Sequence, residues 1–370
     1  MKKRGNLFAA IAILAGTAIG AGYLGIPYVV AQSGFAIGLF HIVIIGIVIL
    51  LLNLYYGEII LRSKEHHHLP GQAEKYIGKK GKIIVFIGIL FLSYSALIAY
   101  LVGEGESISA LLFNTSKYSL QIGILFWIFI TVLSYGGLKR LKKVESYGVS
   151  IMAIIAMIIV FTLLKNVNTE NLTTFYPNKV FIPMGVIIFA YLAFSELKET
   201  SLALNNNKLF KRAIIIGTFI PFIVYALLTL AVVGYFGANV PEIFTLGLNR
   251  FFISLGIITM LTSFAAINTS LIDMYDFDFK IPKQYAFLLV NAIVLVLFIT
   301  IKTLNLATFT NIIGIAGSIS GGILALVILL INKRAKYLGD RKPEFSVPIN
   351  WFIILTISTI FALAVIMEII

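Results

Sequence analysis

The first apolar run, Leu7 to Ala31, is long enough to cross a bilayer, which takes about 20 residues. Its centre nevertheless reads Gly16-Thr17-Ala18-Ile19-Gly20-Ala21-Gly22-Tyr23-Leu24-Gly25-Ile26-Pro27. Glycine costs a helix interior about 1 kcal/mol against alanine, and proline about 3 kcal/mol. Four glycines and a proline in so short a stretch favour an unwound centre. Unwound backbone at membrane depth is tolerated only where it faces protein or a watery cavity. There its free N–H and C=O groups are available to a small zwitterion. The alternative is close helix packing through small residues, for which Gly16 with Gly20, and Ala18 with Gly22, have the right spacing.

Composition places the chain in a membrane. Of 370 residues, 59% are hydrophobic and 12% charged, whereas soluble domains are about half apolar and a quarter charged. There is no cysteine, hence no disulfide framework and no thiolate metal site. The start, Met1-Lys2-Lys3-Arg4, leads directly into the first run with no small-residue cleavage site before Pro27, so the run is read as a retained span. Eleven runs can be marked: 7–31, 37–61, 83–102, 120–137, 149–164, 181–197, 213–236, 251–274, 285–301, 312–331 and 349–367. With the N-terminus cytoplasmic, 24 of the 29 Lys and Arg residues fall on the cytoplasmic side. The positive-inside rule then places the C-terminus outside. That placement accounts for the net charge of +13 without nucleic acid. A stretch from Leu69 to Lys80 reads as a short amphipathic cytoplasmic helix, and His66-His67-His68 before it as a solvated tract rather than a metal site.

Five runs separate the first from the sixth, so two five-span units, 7–164 and 181–331, are expected to be inverted relative to each other, with 349–367 as an additional helix. The sixth run fits as the counterpart of the first. It starts apolar at Pro183 and meets Ser195 and Glu196 before polarity takes over. The alternative is a helix that ends near Phe194, with Glu196 an ordinary interfacial residue.

At these positions the chain resembles a known family. GTAIGAGYLGIPYVVAQSGF, from Gly16, is similar to the opening helix of the amino acid/auxin permease family, a branch of the amino acid–polyamine–organocation (APC) superfamily. FAYLAFSELKETSLALNNNKLFKRAI, from Phe189, resembles the sixth helix and following loop. Ala96–Leu101 resembles the third helix, and Tyr55-Tyr56-Gly57-Glu58 the end of the second. Thr262-Ser263-Phe264 with Leu271-Ile272-Asp273 resembles the eighth, as in bacterial aromatic amino acid permeases. Ala193-Phe194 departs from the small-polar pair common in the family's sixth helix.

The resemblance implies an all-α, eleven-helix membrane protein with the leucine-transporter-type inverted repeat and discontinuous helices 1 and 6. It further implies an amino acid held at the midplane between helices 1, 3, 6 and 8. Backbone N–H groups of Gly20, Ala21 and Gly22 are then assigned to the substrate carboxylate, since a helix N-terminus favours an anion. Carbonyls of Ala18, Phe189 and Leu192 are assigned to the ammonium, with plain packing as the alternative for Phe189 and Leu192. Tyr94 is read as a pocket wall, with core packing as its alternative. The fold's shared sodium position maps onto the Gly16, Ile19 and Thr259 carbonyls with the Thr262 and Ser263 hydroxyls. The plainer reading is that these hydroxyls bond back to carbonyls a turn earlier.

Ionisable groups in or near spans are functional candidates by default. Glu196 is the first choice for a proton carrier, and Glu104 and Glu106 are expected in the external vestibule. No nucleophile–base pair or nucleotide motif accompanies them. The expected function is a secondary active amino acid transporter, working by alternating access on a Na+ or H+ gradient in the cell membrane. Its partners are the amino acid and the lipid bilayer, with no nucleotide, nucleic acid or other cofactor. An exchanger or uniporter of the same fold, or a receptor that binds without transport, are the alternatives.

Overall fold

A computed structural model describes residues 6–64, 67–135 and 154–369. Every regular element among these residues is helical. The first run forms two pieces, α1 (Leu7–Ala18) and α2 (Ile26–Ser33); the stretch Ala21–Ser33, which includes α2, is bent by 44° from α1. Asn6 caps α1 by accepting from the Phe8 amide at 3.1 Å, and Pro27 sits in the first turn of α2, where it costs no hydrogen bond. A single residue, Gly34, turns the chain into α3 (Phe35–Arg62). Its φ of +96° and the backbone of Thr174 and Phe175 against its α-carbon leave no room for a side chain.

Then follow α4 (Leu69–Ile77), α5 (Lys79–Phe113), α6 (Ser119–Tyr135) and α7 (Ile154–Asn166). The sixth run again forms two pieces, α8 (Pro183–Tyr191) and α9 (Leu197–Leu202). The remainder is α10 (Phe210–Phe236), α11 (Arg250–Phe279), α12 (Lys283–Leu304), α13 (Phe309–Leu338) and α14 (Trp351–Ile369).

Among the described residues, eight helical stretches are long and apolar enough to cross a membrane, counting α8 with α9, and the bent pair α1 and α2 supplies a ninth. Two more apolar helices, α6 and α7, are shorter, and the start of the expected fifth span lies outside the described residues. The chain is thus an all-helical, multi-pass membrane protein. Uniformly apolar helices sort by burial: 78% of the apolar window of α13 is inside the protein, against 22% for α12 and for α14. α13 is therefore the central post, and α12 and α14 face the lipid. Glycines let α13 approach closely; a Cβ on Gly317 would lie 2.6 Å from the Phe189 amide of α8.

The two ends of the bundle are knit differently. At the lysine-rich end, Glu58 of α3 is fully buried and bonds Arg62 (2.8 Å), Lys336 of α13 (3.0 Å), the Ser346 hydroxyl (2.8 Å) and the Val347 amide (2.8 Å). A buried carboxylate with this many donors is the arrangement that offsets its desolvation. The segment between α13 and α14 is thereby strapped across α3. At the opposite end Lys302 pairs with Glu106 at 2.9 Å, and Glu242 accepts from the Thr308 and Thr310 hydroxyls at 2.6 and 2.7 Å.

Candidate functional site

The chain leaves helical geometry at Ile19 (ψ +50°) and Gly20 (ψ −174°), then forms a short 3-10 turn over Ala21–Gly25. In the sixth run it does so at Leu192 (ψ +105°) and Ala193, followed by a 3-10 turn over Phe194–Glu196. The two interruptions touch. A Cβ on Gly22 would lie 2.8 Å from Cδ1 of Phe189 and 3.3 Å from the α-carbon of Ala190. Only glycine permits that approach.

One side chain joins both interruptions. The hydroxyl of Tyr225, fully buried on α10, meets the Ala18 carbonyl and, at 2.9 Å, the Ala190 carbonyl. Those carbonyls lie at the C-terminal ends of α1 and α8, where helix carbonyls lack partners and carry partial negative charge. Tyr191 packs edge-on against Tyr225, with ring centroids 5.0 Å apart. On the other side, α11 meets the first interruption through Ser263, whose Oγ accepts from the Ala21 amide at 3.2 Å.

A cavity of about 1400 Å³ runs from the interruptions to the lysine-rich end. Gly16, Thr17, Ala18, Gly20 and Gly22 line it from the first run, and Phe189, Ala190, Leu192 and Glu196 from the sixth. Ser93, Ala96 and Tyr100 of α5 and Thr262, Ser263 and Ser270 of α11 complete the inner walls. Its mouth is charged: Lys64, Lys75, Lys82, Glu74 and Asp340 stand around it with His67 and His68. The Lys64 amide (2.9 Å) and the Lys75 ammonium hold the Asp340 carboxyl below its usual range. The hydrogen bond from Lys82 does the same for Glu74. His66 lies outside the described residues, and no cluster of metal-ligating side chains occurs among those described.

The structure thus brings most of the sequence candidates to one wall or another of the cavity. Ala21 lies behind it, its amide engaged by Ser263. Ile19 and Thr259 are buried beside it, and Thr259 Oγ1 donates to the Leu255 carbonyl at 2.9 Å. Thr262 Oγ1 donates back to the Ile258 and Thr259 carbonyls, each at 3.0 Å. Tyr94 is not on the wall; its hydroxyl bonds that of Tyr275 at 3.2 Å. Sequence reasoning missed Tyr225, since a lone tyrosine in an apolar run carries no signal of what it will face. It also missed Ser93, although Ser93, Ala96 and Tyr100 recur at helical spacing.

Comparisons with known proteins follow the same lines. The model of the tryptophan/tyrosine permease family matches residues 3–244, more than half of the chain. The chain is 28% identical over 242 residues to tyrosine-specific transport system 2 of Haemophilus influenzae, covering 62% of this chain and 59% of that protein. It is 26% identical over 246 residues to glutamine transporter 2 of Aliivibrio fischeri, covering 63% and 62%. The matches therefore span about three fifths of these relatives' own lengths. The match is to an amino acid permease family, the kind that the residues resemble. The chain belongs to the tryptophan/tyrosine permease family.

Proposed function

We propose that the protein is a secondary active transporter that carries a neutral amino acid by alternating access, driven by a Na+ or H+ gradient. The observation that carries this reading is the meeting of two interrupted helices at the blind end of one deep cavity, with the carbonyl ends of both facing the same hydroxyl. Such an end presents what a zwitterion needs. Carbonyls at the ends of α1 and α8 attract an ammonium, and the turn after α1 offers the Gly20 and Gly22 amides to a carboxylate, the Ala21 amide being held by Ser263.

In this reading the eleven expected spans form two inverted five-helix units, 7–164 and 181–331, plus the helix at 349–367. The lysine-rich end is cytoplasmic, so the cavity is open inward and the extracytoplasmic half is closed. Tyrosine and glutamine, named for the relatives, are the first substrates to try. A sodium ion would be held by the carbonyls of Gly16, Ile19 and Thr259 and the hydroxyl oxygens of Thr262 and Ser263. The set fits the ion: all are neutral hard oxygens, and Ser263 Oγ, after accepting from Ala21, keeps a lone pair to give. A proton would instead use a carboxyl group such as Glu196 on the cavity wall.

Purified protein in liposomes, offered a panel of labelled amino acids under sodium, proton or no gradient, tests the reading. Uphill accumulation of at least one neutral amino acid is expected. Binding without accumulation or counterflow supports a receptor instead and overturns transport. Thr262→Ala with Ser263→Ala is expected to remove any sodium dependence; uptake that stays sodium-driven refutes the ion set.

A further inference from the structure

We infer that Glu104, sealed in α5 beyond the cavity, binds the proton whose uptake and release drive the transport cycle; this deepens the carrier reading above and rests on it. Ser93, Ala96 and Tyr100 mark the face of α5 that lines the cavity. Glu104 follows Tyr100 by one turn on that face, toward the end away from the lysines. It is 0% exposed, and neither carboxyl oxygen has a hydrogen-bond partner among the described residues.

The surroundings are closed yet partly polar. α5 and α11 run antiparallel, with Tyr94 bonded to Tyr275 near one end and Gly103 packed against Met260 further along. One more turn brings Ser107 level with Gly256, whose own neighbour is Thr245, 2.7 Å from an added Cβ. The hydroxyls of Ser107 and Thr245 are also buried and unpartnered among the described residues. Ile243 and Phe309 close the space over Gly103.

No cation among the described residues pairs with Glu104. On the elements packed against this part of α5, the ionised groups are otherwise placed. Lys302 of α12 holds Glu106 (2.9 Å), and Glu242 accepts from Thr308 and Thr310 before and in α13. Arg250 of α11 donates to Asn114 (3.4 Å), and Lys117 before α6 is exposed. On α5 itself, the nearest titratable side chain one turn back on the same face is the Tyr100 phenol.

An ionised carboxylate without a partner does not remain in such a space, so the group enclosed here is the neutral acid. The cycle follows from that constraint. With the outer half open, water reaches Glu104 and it ionises. A proton from the outer solution neutralises one carboxylate oxygen, and the outer half can close. The proton then leaves past Tyr100 to cavity water, and the bare carboxylate favours reopening outward.

Protein in liposomes containing a pH-sensitive dye tests this. Wild-type protein given an inward proton gradient is expected to accumulate substrate and acidify the lumen with it. In Glu104→Gln, uphill uptake is expected to fall at least tenfold more than counterflow. A Glu104→Gln protein with wild-type uphill uptake and acidification overturns the assignment. Wild-type uptake driven by sodium alone, with no acidification, overturns it while leaving the carrier reading intact. No uptake and no counterflow of any amino acid overturns both. Should Glu104→Gln not fold, unaltered protein is treated with dicyclohexylcarbodiimide, which modifies neutral buried carboxyl groups. A mass adduct on the peptide containing Glu104, with loss of uptake, is expected; an unmodified Glu104 overturns the proposal.

Discussion

Tyr225 holds two carbonyls with one hydrogen. A substrate ammonium has three, so it competes with the phenol for the end of α1. Tyr225→Phe leaves two carbonyls short of a donor, at a cost of about 1–3 kcal/mol in the substrate-free protein. The variant is expected to melt lower than wild type when empty. It is also expected to gain more in melting temperature when substrate is added. An equal or smaller gain would show that the phenol helps to bind the cargo instead of standing in for it. At this scale the sequence was legible for backbone and opaque for side chains. Glycine spacing marks where the helix fails, because its cost is local. Which hydroxyl comes to rest against the gap depends on tertiary packing: Ser263 stands 242 positions from its partner Ala21.

Among elements, the segment between α13 and α14 behaves as a strap over α3 and α4. Glu58 is its anchor, and Glu58→Ala leaves Lys336 and Arg62 facing one another without a counter-ion. Breaking a buried pair costs about 3–5 kcal/mol; both partners here keep some solvent, at 22% and 14% side-chain exposure, so the loss belongs near the lower figure. Denaturant titration in detergent measures it. Asp340 ties the same segment to Lys64 and Lys75. Its folded carboxyl titrates below the unfolded one, so its contribution is fully present above the unfolded value, about pH 4, and is lost as pH falls through the folded value. The melting-temperature difference between wild type and Asp340→Asn is therefore expected to stay constant from pH 7 to 5 and to shrink below about pH 4. A difference that grows on acidification would contradict the ion pairing. Long apolar helices were readable from the chain because bilayer thickness fixes their length. The second interruption was only half readable. The helix breaks at Leu192 and Ala193 without glycine or proline, just beyond Phe189 and Ala190, whose contacts with Gly22 and Tyr225 no local pattern announces.

For the whole molecule, the lopsided distribution of lysine and arginine has a structural counterpart, since the cavity opens at that end and the other is closed by Glu106–Lys302 and Glu242. Having no cysteine, the chain is its own background for labelling. Single cysteines at Ser270 and at Ser107 are expected to react with a polar thiol reagent from the lysine-rich side only and from neither side, respectively, in the state described. Labelling of Ser107→Cys from inside would mean that the closed half is not closed.

The hollow has an electrical consequence. At about 30 Å³ per water, about 47 molecules would fill it, enough to carry the potential of the lysine-rich side up to the helix interruptions. On the proposal made for Glu104, the membrane voltage then falls mainly across the sealed layer of the bundle around it. A charge crossing that layer gains about 2.3 kcal/mol per 100 mV, nearly the full value for the entire bilayer, although it travels only part of the way. Uptake should therefore steepen with an inside-negative diffusion potential even at zero pH difference, and an uptake rate indifferent to potassium–valinomycin voltage would show that no charge moves through this layer.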